Sequence, residues 1–184
     1  MGIHTNLSKQ LIRFLEKQSV FFIATAAEDG RINLSPKGLK SLRVISADRL
    51  IWMNLTGSGN ETAAHLLVNP RITLMACAFE GDPLILRVYG QAKSVHKKDA
   101  DWAELSAHFE GLEGERQIID IQIESVQTSC GSGVPLLSFE AERDELNTWA
   151  EKLGEEGVKD FWVNKNLDSI DGFDTGMRDQ LSKR

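Results

Sequence analysis

Residues 20–38, VFFIATAAEDGRINLSPKG, decide the fold. Val20 to Ala26 is dense in β-branched and aromatic side chains, which suit a half-buried strand. Glu28-Asp29-Gly30-Arg31 supplies the Asp-Gly pair of a hairpin turn, and Ile32-Asn33-Leu34-Ser35 returns with alternating polarity until Pro36 stops it. Proline has no N–H for a ladder, so this strand lies at an edge or a bend.

Working outward, Leu7, Leu11, Ile12 and Leu15 recur at helical spacing, with Asn6 or Ser8 as the cap. Downstream, Leu42–Ser46 and Leu50–Leu55 form a second hairpin turned by Ala47-Asp48-Arg49. A short helix, Glu61–Val68, follows and ends at Asn69-Pro70. Ile72–Phe79 and Leu84–Val95 make a third, longer hairpin. Residues 99–109 read as a helix, and Arg116–Ser129 as a final strand in which Ile118, Asp120, Gln122 and Glu124 alternate with Ile119, Ile121 and Ile123. Six or more hairpin-connected strands with inserted helices point to an antiparallel β-barrel, not to βαβ units. Past Gly131 the composition shifts to charged helices near 141–153 and 156–166, then to a Gly- and Asp-rich tail. The expected organisation is a barrel domain over 1–135 and a helical extension over 136–184 packed on it.

The chain has 184 residues, enough to bury a core without disulfide or metal staples. Its formal net charge of −6 argues against a general nucleic-acid surface, which needs a basic stripe. No stretch approaches the roughly 20 apolar residues that span a bilayer, and the amphipathic N-terminus lacks a signal-peptide core. With two cysteines only, Cys77 and Cys130, the expectation is reduced thiols in a cytoplasmic protein. The four histidines share no metal-ligand spacing, and His65 reads as structural or exposed. Cys130 sits among flexible residues but has no sequence-linked base.

Two segments could carry chemistry. Thr56-Gly57-Ser58-Gly59-Asn60-Glu61-Thr62 joins glycines, which let a ligand approach the backbone, to a helix start, whose free N–H groups suit a phosphate. Thr56, Ser58, Asn60 and Thr62 add side-chain donors there. The competing reading is a tight turn with Asn60 as an ordinary N-cap. Ser35-Pro36-Lys37-Gly38 places a cation between a proline and a glycine, either to neutralise that phosphate or as a solvated turn lysine. Arg87 lies within an apolar strand and either faces solvent or pairs with a partner. Trp52 reads as a core or interface aromatic that could also pack on a planar ring.

In order and spacing, Ser-Pro-Lys-Gly at 35–38, Gly-Ser-Gly-Asn-Glu-Thr at 57–62, Asn69-Pro70-Arg71, Arg87-Val88-Tyr89-Gly90 and the later Ser-Cys-Gly-Ser-Gly-Val-Pro at 129–135 form one pattern. It resembles the pyridoxamine 5′-phosphate oxidase-like family of FMN-binding split barrels, and the tail NKNLDSIDG at 164–172 resembles one branch of it. The resemblance implies a homodimer with FMN at the interface. By position it implies phosphate contacts from Ser35 and Lys37 and from Thr56, Gly57, Ser58, Gly59, Asn60 and Thr62, with the flavin ring near Trp52 to Asn54. The chain departs from authentic members at Asn33, Thr62 and Ile85, where they carry arginine, lysine and glutamine. Their arginine-rich C-terminal substrate motif is also missing, so pyridoxal phosphate synthesis is not expected. The implied activity is that of a flavin-dependent oxidoreductase of unassigned substrate. The alternative from a different class is a dimer that holds flavin or haem without turnover; a deazaflavin cofactor is a third reading.

Overall fold

The computed structural model describes residues 2–110 and 112–182. β2 (Phe21–Thr25) buries Phe21, Ile23 and Thr25 on one face, and β3 (Asn33–Lys37) pairs with it antiparallel. The strand runs through Pro36 to Lys37 instead of stopping at the proline. Because β3 is the last strand of the sheet, the missing N–H leaves no ladder bond unmade.

β4 (Leu42–Ser46) and β5 (Arg49–Leu55) form the next hairpin, and α2 (Glu61–Val68) leads into β6 (Arg71–Cys77). β7 (Ile85–Val95) and β8 (Glu115–Ser129) are the long strands, and α3 between them is only Trp102–Ser106, shorter than the helix read over 99–109. Strands align in the order β3-β2-β6-β7-β8-β5-β4, all antiparallel. An eighth strand, β1 (Gly2–His4), escapes a sequence reading because its three residues carry no periodicity; it exists by pairing with Val126–Thr128.

The sheet curls around Ile23, Leu50, Trp52, Leu74, Leu86, Ile119 and Ile121, and α1 (Lys9–Glu16) closes it with Leu15, capped by Ser8. Its architecture is a split barrel. Ile118 faces the other way, into a second core with Ile51, Met53, Val95, Leu105 and Phe109. β8 is therefore buried on both faces there, and Ile118 and Ile119 are equally inaccessible, where alternation alone would leave one exposed.

The last helix, α4 (Glu145–Lys165), is two helical stretches joined at Gly154, whose φ of 66° and ψ of 177° are not helical. Trp149 meets Phe161 edge to face across this bend, with centroids 5.0 Å apart. α5 (Met177–Leu181) packs Met177 beside Ala150, Val158 and Trp162. No described helix is long and apolar enough to cross a membrane.

Candidate functional site

The loop between β5 and α2 turns its carbonyl groups toward the protein. Asn166 Nδ2 donates to the Gly57 carbonyl at 3.0 Å, and Arg116 Nη1 donates to that of Gly59 at 3.0 Å. The N–H groups of Gly57, Ser58, Gly59 and Asn60 have no protein acceptor among the described residues. A Cβ at Gly57 would meet nothing within 4 Å, and one at Gly59 would meet only the flexible Glu61 carboxylate, at 3.4 Å. No neighbour in the chain demands these glycines; they leave an open cradle over the start of α2.

Asn60 occupies the N-cap position but does not cap. Its Oδ1 instead accepts from Gln117 Nε2 at 2.7 Å and from Asn54 Nδ2 at 3.4 Å. The reading of Asn60 as an ordinary cap is thus corrected, because two buried carboxamides compete for its oxygen. Asn60 Nδ2 is left buried without a partner. The first turn of α2 keeps free N–H groups and the positive end of the helix dipole.

Lys37 lies on the face of β3 that also carries Asn33 and Ser35. Its ammonium lies 4.8 Å from the centroid of the Trp52 ring, and Asn54, next on that face of β5, bonds to Asn60. Lys37 has no ion-pair partner among the described residues. Burial, with a smaller contribution from the positive charge of Arg116, pushes its pKa down to about 8. On its other side Lys37 borders a cleft of about 1220 Å³, lined by Val20, Phe79, Leu137 and Phe139 with Glu142 and Arg143.

The remaining sequence candidates sit apart from one another. Ser58 is exposed and Ser35 half-buried on the face of β3 that carries Asn33 and Lys37. Thr56 is buried, donates from its hydroxyl to the Gly114 carbonyl at 2.7 Å and accepts from Trp162 Nε1 at 2.8 Å. Thr62 is buried and accepts from Asn33 Nδ2 at 3.1 Å, which also donates to Thr25; Thr25 in turn bonds His65. These bonds engage both threonine hydroxyls within the chain. His65 is structural and buried. Trp52 is 1% exposed, with Phe21 at its edge and Lys37 over its face, so it is a core residue. Arg87 donates to Ser129 Oγ at 3.1 Å, and Cys130 is a free, exposed thiol.

Arg116, Gln117 and Trp162 were not legible as site residues; Asn54 entered only as the end of the segment placed near the flavin ring, and Asn166 only inside the tail motif at 164–172. Chemically, the cradle offers N–H groups and a helix dipole, and so suits an anion.

A profile of pyridoxamine 5′-phosphate oxidase matches residues 7–130, from α1 through the end of β8. A pyridoxamine 5′-phosphate oxidase family protein of Aspergillus flavus, ustO, is 33% identical and aligns over 96% of this chain and 80% of its own. Among solved structures, a HupZ variant of Group A Streptococcus matches with a TM-score of 0.55 at 18% identity, covering 67% of this chain and 99% of that one. A candidate pyridoxamine 5′-phosphate oxidase of Lactobacillus delbrueckii matches with a TM-score of 0.53 at 20% identity, covering 67% and 95%. The structural likenesses speak to the fold alone, but profile and relative span the barrel, the cradle and Lys37 together. On that ground the chain belongs to the pyridoxamine 5′-phosphate oxidase family.

Proposed function

We propose that this protein binds FMN, with the phosphate at the start of α2, and works as a flavin-dependent oxidoreductase. One observation carries the reading: α2 begins uncapped behind a glycine loop whose N–H groups have no protein acceptor, with the unpaired Lys37 on the same inner face. Backbone donors at a helix start and one positive charge match the terminal phosphate of FMN, and the room above Gly57 and Gly59 lets it approach. Asn60 Nδ2, at the N-cap position, is buried and unpartnered. The buried Trp52 cannot stack on the ring in this arrangement, so the ring lies against outer surface or against a second subunit.

When bound, FMN supplies the redox chemistry itself. The residues of this chain bind the phosphate and orient the ring, and the bound anion in turn favours the protonated form of Lys37. No side chain here is assigned as acid or base. The reading does not take pyridoxamine phosphate as the substrate: in the tail, Arg178 is committed to Asp168 and Asp174.

The test is direct. Purified protein should be yellow and release FMN on denaturation, and apo-protein should bind added FMN. A colourless protein that fails to take up FMN overturns the reading. Bleaching of the bound flavin by NAD(P)H then distinguishes an enzyme from a passive holder.

A further inference from the structure

Arg116 occupies an unusual position in β8. Asn54 pairs with Gln117 and Leu55 with Glu115, so Arg116 is the extra residue of a β-bulge. The bulge frees its side chain from the ladder and sends it under the glycine loop. There Nη1 donates to the Gly59 carbonyl at 3.0 Å and to Asn166 Oδ1 at 2.7 Å. The residue is 3% exposed, its Nε is buried without an acceptor, and it forms no ion pair with any described carboxylate.

A guanidinium keeps its proton in proteins, and a buried charge without a counter-charge is strongly unfavourable. Neutral carbonyls satisfy hydrogen bonds but not the charge. A second unpaired cation, Lys37, lies close enough to feel Arg116. Both charges and the positive end of α2 favour an anion. Two cations and several N–H donors suit a dianion with three terminal oxygens better than a monovalent carboxylate.

We propose that Arg116 is a positioning residue for a phosphate monoester bound at the start of α2. It supplies the second positive charge. It also draws the Gly59 carbonyl inward, which leaves the loop N–H groups facing the ligand. Asn166 fixes the guanidinium from the C-terminal side, so the tail takes part in setting up the site. The identity of the ester as FMN rests on the function proposed above; the phosphate site itself does not.

The experiment titrates apo-protein with FMN and with riboflavin, which lacks the phosphate, for the parent, Arg116→Gln and Arg116→Lys. Arg116→Gln should weaken FMN binding by about tenfold or more and leave riboflavin within about threefold, with partial recovery in Arg116→Lys. Equal losses for both flavins mean a structural role only and overturn the proposal, as does unchanged FMN binding. If Arg116→Gln fails to fold, the same FMN-to-riboflavin comparison in Arg116→Lys decides. If the parent binds neither flavin, the FMN reading falls, and melting in inorganic phosphate against sodium chloride of equal ionic strength tests the site alone. Phosphate that raises the Tm of the parent and not of the variant supports it; phosphate without effect on the parent overturns it.

Discussion

Lys37 is held in a setting that penalises its charge, and the penalty has a readable pH signature. Its folded pKa of about 8 lies below the ordinary 10.5, with burial the larger cause and Arg116 the smaller. Between those two values the unfolded chain holds more protons than the ligand-free fold, so this group makes stability rise with pH across that window. Lys37→Met should therefore melt higher than the ligand-free parent at pH 7, and the gap should close as pH climbs past 8 toward 10.5. With an anion bound the sign reverses, because the phosphate favours the protonated lysine. FMN affinity of the parent should fall as pH rises from 7 to 9.5, and that slope should be absent in Lys37→Met. A parent and variant with parallel melting and binding profiles would make Lys37 a solvated turn residue. At this scale the sequence showed Lys37, flanked by Pro36 and Gly38, but not Arg116, whose role depends on a bulge that no local pattern announces. Nor did it show that Asn33 and Thr62, two positions where the chain departs from the resembled family's arginine and lysine, meet as a neutral hydrogen-bonded pair.

Among the elements, α4 shows most clearly what local reading can and cannot give. Two charged helices near 141–153 and 156–166 are visible in composition, and the structure has a bend at Gly154 between two helical stretches. What composition does not reveal is the purpose of the bend. It sets Ala150 near Gly114 and the later turns over the glycine loop, where Trp162 donates to Thr56 and Asn166 to Gly57. At φ 66° and ψ 177°, Gly154 occupies a region open essentially to glycine. A Cβ there would meet no atom within 4 Å, so substitution strains the backbone without a clash. Gly154→Ala should destabilise the protein by about 1–3 kcal/mol, measured by urea unfolding, and a neutral result would mean that the bend relaxes into continuous helix. The strands were more legible than their limits. Hydrophobic pattern and turn residues marked β2 to β8, whereas β1 and the true length of α3 depend on partners distant in sequence.

At the scale of the whole molecule, the sheet does not satisfy itself. β3 and β4 end the strand order, so among the described residues each has one edge unpaired by another strand. Ile32 and Leu34, at and beside the start of β3, are 77% and 66% exposed. Leu136, Leu137 and Phe139, in the segment after β8, are also more than half exposed. Single exposed apolar residues are ordinary, but an unpaired edge strand with bulky apolar neighbours is a surface that proteins usually cover. The homodimer implied by the family resemblance would cover it with a second copy and give the flavin ring the wall that the buried Trp52 cannot provide. Sedimentation velocity at micromolar concentration should give twice the 20.5 kDa of one chain, with and without FMN. Leu34→Asp reverses apolar contact while leaving the inward face of β3 intact, since Leu34 points away from Asn33, Ser35 and Lys37. It should shift the protein toward monomer and weaken FMN binding together, because ring contacts from the partner are lost while Lys37 and the start of α2 remain. Loss of the dimer with undiminished FMN affinity would place the whole flavin site within one chain. A parent that sediments as a monomer with FMN bound would remove the shared interface altogether.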